Sequence, residues 1–159
     1  MHDRVLLITG ASSGRAAARE GYQLVLAARS ADKLTSLAQE LGPENVLTCE
    51  VDVTDLKQQQ AMVEHAIETF GRIDAVFANA GRGGSPGGFS SADHDAWREM
   101  ILTNIYGVGL TLQACLPELK RRQGHVLLTG SAAGRTTIPG SMYSATKWAV
   151  TGIGYNLRE

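Results

Sequence analysis

Short continuous apolar runs alternate with helix-patterned stretches along this chain, and that alternation restricts its fold more than any other feature. Residues 5–8 (VLLI), 22–28 (YQLVLAA), 46–51, 73–78 and 125–129 are brief runs, apolar or partly β-branched, bounded by turn formers. All five mark strands, and the first two, continuously apolar, mark strands buried on both faces. Between them, residues 31–41 place Leu34, Leu37, Ala38 and Leu41 on one helical face, and Gly42-Pro43 ends the pattern. Asp55 and Gln58 form a capping pair. They open a helix whose Met62, Val63, Ala66, Ile67 and Phe70 share a face, and Gly71 closes it. Residues 82–91 read as a Gly/Ser/Pro-rich loop. Residues 93–122 read as one long helix with a kink near Gly107 and Gly109, and a last helix starts at about Tyr143. Strand–helix alternation predicts an α/β domain with a parallel sheet.

The 159 residues fit one domain, 1–159. A net charge of −1 argues against a chain whose main task is gripping nucleic acid or an anionic membrane. The one basic run, Lys120-Arg121-Arg122, stands where a helix C-terminus is expected, which its dipole favours. The leading apolar run is far below the ~20 residues of a membrane span. Cys49 and Cys115 belong to no C-x-x-C pair and fit a reducing, cytoplasmic setting. His2, His65, His94 and His125 share no metal-ligand spacing, so no metal is expected.

In an open parallel sheet, ligands bind beyond the C-terminal strand ends. The first strand runs into Gly10-Ala11-Ser12-Ser13-Gly14, where glycines let backbone N–H groups approach a pyrophosphate. The third ends at Asp52-Val53, a carboxylate suited to an adenine amino group. The fourth ends at Asn79-Ala80-Gly81. Each alone reads equally as a turn; all three on one sheet edge point to a dinucleotide. After the second strand the chain carries Ala28-Arg29-Ser30 rather than an acid. A guanidinium accepts a 2′-phosphate that a carboxylate would repel, so NADP(H) is favoured over NAD(H). Tyr143 and Lys147 are four residues apart, one helical turn, and an ammonium there favours the ionised phenol. Ser131, just beyond the fifth strand, reads by itself as a turn or cap residue.

Taken together, T-G-A-S-S-G, Asp52-Val53, N-A-G at 79–81, Asn104, Ser131 and Y-S-A-T-K at 143–147 resemble the short-chain dehydrogenase/reductase family, in that family's order. The resemblance covers essentially the whole chain. It implies a Rossmann-like, doubly wound parallel sheet in three α/β/α layers. It also implies an enzyme that interconverts a carbonyl and a secondary alcohol by hydride transfer with NADP(H). In that reading Tyr143 is the general acid/base, Ser131 orients the substrate oxygen, and Lys147 tunes Tyr143 and binds the nicotinamide ribose. Asn104 holds a water that relays protons. Gly10, Ser12, Ser13, Gly14, Arg29, Ser30, Asp52, Val53, Asn79, Ala80 and Gly81 would line the cofactor with Tyr143 and Lys147. A small-molecule carbonyl or alcohol is the expected partner, and a homo-oligomer is expected through the helix from Asp93 onward.

Two departures stand out. Arg15-Ala16 replace the last x-G of the family's T-G-x-x-x-G-x-G loop, and only residues 15–20 remain for the first crossover helix. Six helical residues span about 9 Å, against about 16 Å for a five-residue strand. Either the chain is shortened there or residues of the protein are missing from it, the second being favoured. The sequence also stops at Glu159, in a helix, without the family's substrate-covering region. A catalytically inactive dinucleotide-binding or structural relative is therefore the alternative reading. A methyltransferase-like domain would leave the Tyr143/Lys147 pair unexplained.

Overall fold

The computed structural model describes residues 4–11, 15–84 and 86–157. Five strands, β1 (Val5–Thr9), β2 (Gln23–Ala28), β3 (Val46–Glu50), β4 (Ala75–Ala78) and β5 (His125–Leu128), form one sheet in the order β3-β2-β1-β4-β5. Every pairing is parallel; Val5 lies opposite Gln23 and Leu6 opposite Ala75. The helices are α1 (Arg15–Arg19), α2 (Ala31–Leu41), α3 (Leu56–Phe70), α4 (Gly88–Ser91), α5 (His94–Ile101), α6 (Gly107–Arg122) and α7 (Met142–Asn156). This is the expected Rossmann-like α/β architecture. Chain order reverses between β1 and β4, which opens a crevice at their C-terminal ends.

Side chains alternate across the strands, so the continuous apolar runs supply two cores. Leu7, Val25 and Ala27 pack with Met62, Ala66 and Cys115 under α3 and α6. Ile8, Leu24 and Leu26 pack with Leu34 and Leu37 of α2, flanked by Ala17 and Ala18 of α1. α7 joins a third cluster, where Ile153 and Leu157 meet Ala78, Val108, Leu112 and Leu128. Asp74 staples the start of the sheet: its carboxylate accepts the Val5 N–H at 2.8 Å and holds Arg72.

The helix ends follow the sequence signals with local differences. The Asp55 carboxylate caps α3 by accepting from the Lys57 and Gln58 N–H groups, and Gly71 ends it at φ +75°. Gln58 does not reach back to the N-cap amide; its Oε1 takes the Asp52 N–H at 2.8 Å and its Nε2 donates to Asp55. The basic run does close α6, where Arg121 and Arg122 pair with the buried Glu118 and Arg122 also donates to the Gly71 carbonyl.

The irregularity expected near Gly107 and Gly109 lies just before them, as a π-helical turn over Leu102–Tyr106. The extra residue per turn goes where Asn104 must bury a hydrogen-bonded side chain. Two expectations need correction. The 82–91 segment is not all loop, since Gly88–Ser91 is helical. Tyr22, Val51, Ile73, Asp74 and Thr129 flank strands instead of belonging to them. The first crossover is as short as expected: α1 has five residues, none buried, yet β1 and β2 pair in parallel over five positions. His94–Arg122 is, among the described residues, the one helical stretch long and apolar enough to cross a membrane. Here Val108, Leu112, Cys115 and Leu119 of that stretch face the sheet core.

Candidate active site and cofactor cleft

A cleft of about 700 Å³ opens at the crevice between the β1 and β4 ends. Gly10, Ala11, Ala28, Arg29, Ser30, Asp52, Val53, Ala80 and Gly81 all line it, joined by Lys33 and Thr103, for which the sequence carries no signal. Ser12, Ser13 and Gly14 lie outside the described residues. Gly10 is required here for two reasons. Its φ is +62°, and a Cβ would sit 2.6 Å from the Ala80 Cα, so the two loops meet at backbone contact.

Asp52 forms the adenine-side wall expected of it. Its Oδ1 accepts from the Thr54 N–H (2.9 Å) and Oγ1 (2.8 Å). Those two bonds hold its carboxyl below the usual range, with Arg29 adding to the effect and partial burial opposing it. The group is therefore an anionic acceptor at neutral pH. Arg29 is exposed at the end of β2, and Ser30 begins α2 without using its hydroxyl as a cap. Arg15 reaches across the rim to form a two-pronged pair with Glu40 at 2.6 Å.

Asn79 acts differently from its neighbours. Its amide donates to the Thr9 and Gly10 carbonyls and accepts from the Thr129 hydroxyl, while its N–H donates to the Thr9 hydroxyl. One side chain thus ties together the ends of β1, β4 and β5, and it does not line the cleft.

Tyr143 and Lys147 share a face of α7. The Lys147 ammonium lies 5.7 Å from the Tyr143 ring centroid. It is 5% exposed and donates to the Thr129 carbonyl at 2.8 Å. It approaches Gly81, where an added Cβ would come within 4.0 Å of Nζ and 3.4 Å of Asn104 Oδ1. Asn104 is 1% exposed. Its Oδ1 accepts from the Arg82 N–H at 2.8 Å, and its Nδ2 donates to the Arg82 carbonyl and the Thr146 hydroxyl.

Ser131 caps the 3₁₀ turn Ala132–Gly134 by accepting the Ala133 N–H at 3.1 Å. It lines a second groove of about 580 Å³ between β5, α6 and α7, not the first cleft. Its turn is nevertheless locked to α7. Ser144 Oγ donates to the Ala133 carbonyl at 2.6 Å, Thr151 Oγ1 donates to the Gly134 carbonyl, and a Cβ on Gly134 would lie 2.5 Å from the Lys147 carbonyl oxygen.

Sequence reasoning missed Thr9, Thr129, Gly134, Ser144 and Thr146. Each is tied to a flagged residue by hydrogen bonds or close contact. Thr9, inside T-G-A-S-S-G, and Ser144 and Thr146, inside Y-S-A-T-K, carried a signal that could have found them.

The fold, the Gly10–Ala80 crevice and the stacked Tyr143/Lys147 pair define a dinucleotide-type α/β protein with a polar side-chain cluster at its sheet edge. The family model described as short chain dehydrogenase matches residues 4–159, and the chain belongs to that family. It is 39% identical over 167 aligned positions to an "uncharacterized oxidoreductase", Lmo0432, of Listeria monocytogenes, covering 98% of this chain and 66% of that protein. It thus spans just under two thirds of that relative's length. The alignment is longer than the 159 residues of this chain, so the relative carries positions with no counterpart here. An alcohol dehydrogenase of the archaeon Thermococcus sibiricus, complexed with 5-hydroxy-NADP, superposes with a TM-score of 0.91 at 36% identity. That match covers 98% of this chain and 70% of the other. A short chain dehydrogenase/reductase of Burkholderia phymatum in complex with NAD matches at a TM-score of 0.88 and 30% identity, over 97% and 58% of the two chains.

Proposed function

We propose that residues 1–159 form one dinucleotide-binding and catalytic domain of an oxidoreductase that interconverts a carbonyl and a secondary alcohol with NADP(H). The observation that carries this reading is the placement of Lys147. Its buried ammonium lies over the Tyr143 ring and bonds the Thr129 carbonyl just past β5; neither side chain lines the cleft, but the ammonium comes close to Gly81 on the cleft wall.

The residues fit the cofactor by their donor chemistry. Asp52 is ionised and leaves Oδ2 to accept an adenine amino group. Ala80 and Gly81 present little bulk, and Arg29, with Lys33, brings positive charge where a 2′-phosphate would lie. Asn79 acts by holding Gly10 and Thr129 in place. Ser12, Ser13 and Gly14 are assigned to the pyrophosphate by motif alone. NAD(H) is the lesser candidate, and relatives of this chain are found with either nucleotide.

When bound, the nicotinamide supplies or takes the hydride at the substrate carbon. Tyr143 then gives a proton to the carbonyl oxygen, or takes one from the alcohol in reverse. Ser131 donates its own proton as a hydrogen bond to that oxygen, its lone pair being used by Ala133. Lys147 holds positive charge beside the phenol. Asn104 fixes the loop next to Lys147 and takes the water-holding role in the proton relay. The two buried, separate cysteines support a cytoplasmic setting, and burial raises the Cys115 thiol to about 12.

The test is Tyr143→Phe. Carbonyl-dependent NADPH oxidation across a panel of ketones and aldehydes should fall by roughly 10²-fold or more, while NADPH affinity stays near wild type. Undiminished turnover contradicts the assignment.

The short α1 favours a second reading, a dinucleotide-binding relative without turnover, because the first crossover shapes the phosphate loop. NADPH binding by fluorescence with no oxidation by any carbonyl supports that alternative.

A further inference from the structure

We propose that the Thr146 hydroxyl is a positioning group for Tyr143, the hydrogen-bonded link in a circuit that sets the phenol-bearing turn of α7 against the loop after β4. Thr146 is 1% exposed, and its Oγ1 is used in both directions. It donates to the Tyr143 carbonyl at 2.8 Å and accepts from Asn104 Nδ2 at 3.0 Å. Asn104 in turn grips both backbone groups of Arg82, and the Arg82 guanidinium pairs with Glu99 on α5. Two residues on, a Cβ at Gly84 would lie 3.3 Å from the Tyr143 Cβ, so the loop returns to the residue where the circuit began.

The circuit therefore runs Tyr143, Thr146, Asn104, Arg82, Gly84 and back to Tyr143. The Asn104–Thr146 link is buried and the other polar links are part-buried, where an unpaired group is costly. A second hydrogen-bonded thread, Lys147 to Thr129 to Asn79 to Gly10, locates the ammonium independently. Thr146 thus couples the Asn104 turn directly to the Tyr143 backbone. The π-helical turn is what brings Asn104 within reach of it.

This inference rests on reading Tyr143 as the acid/base, and the experiment separates the two. Thr146→Val keeps the side-chain shape and removes the hydroxyl; Thr146→Ser keeps the hydroxyl. In the cofactor-free protein, hydrogen exchange at the Arg82 amide should quicken in the valine variant by about tenfold, the scale of one lost hydrogen bond. With NADPH, kcat per folded molecule should fall by about as much, with KM for NADPH unchanged. The serine variant should restore both. Wild-type exchange at Arg82 in the valine variant overturns the proposal even where no substrate is known. So does a loss of melting temperature with kcat per folded molecule intact, or a serine variant no better than valine. Thr146→Ala is read the same way if valine does not fold. An active Tyr143→Phe sinks the underlying assignment instead; an inactive one beside a fully active valine variant sinks this inference alone.

Discussion

Asp52, Asn79 and Arg29 show how similar turn-forming residues come to do different things. Asp52 is charged because Thr54 donates two bonds to one of its oxygens, leaving the other outward. Asn79 has its amide consumed by the ends of β1 and β5, so its effect on a ligand is indirect. Arg29 stands exposed on the cleft wall with no acid at the end of β2 to oppose a phosphate. Replacing Arg29 with Ala should therefore weaken NADPH binding by about tenfold or more, the scale of a charged hydrogen bond, and leave NADH binding unchanged. Parallel fluorescence titrations check this, and an equal loss for both nucleotides would discount the 2′-phosphate role.

At the scale of elements, the sheet is fixed at its start by Asp74 and at its end by Asn79. Burial raises the Asp74 carboxyl. The Arg72 side chain and the Val5 N–H lower it by more, so it sits below its usual value. A carboxyl lowered on folding stabilises the native state above its unfolded pKa of about 3.9. That contribution is lost as pH falls through the folded value. Asp74→Asn should cost about 1–3 kcal/mol at pH 7. The gap from wild type should narrow progressively as pH falls below that unfolded value, as read by urea unfolding across an acid pH series; a gap that does not narrow would mean packing, not charge, is responsible. The π-helical turn belongs to this scale too. Its placement follows from burying Asn104 between Arg82 and Thr146, contacts that pair residues 22 and 42 positions apart.

For the whole molecule, reversal of chain order at β1 and β4 explains why the cleft forms where it does. The loops leaving those strands turn to opposite sides, and Gly10 against Ala80 sets how closely they approach. We propose the outer face of α5, the π-helical turn and α6 as the surface of the expected homo-oligomer, because Ile101 is 37% and Tyr106 51% exposed there beside an open Gly109. Substituting both Ile101→Glu and Tyr106→Glu should reduce the mass seen by light scattering to that of one chain. An unchanged mass would remove this face from consideration.

The strands, the buried character of β1 and β2 and many of the motif residues on the cleft wall were legible in the sequence because they depend on short-range signals. Apolar runs, glycines and caps act within a few positions, and the motif set 10–14, 79–81 and 143–147 is local in each part. The five-strand order, the π-helical turn and the couplings through Thr9, Thr129 and Thr146 were not. A threonine hydroxyl looks alike in every sequence context, and whether it bonds solvent or a buried amide is decided by which distant backbone the packed cores bring beside it. The cores settle this because apolar burial fixes where the elements meet, and only then can a buried polar group be required to find its partner.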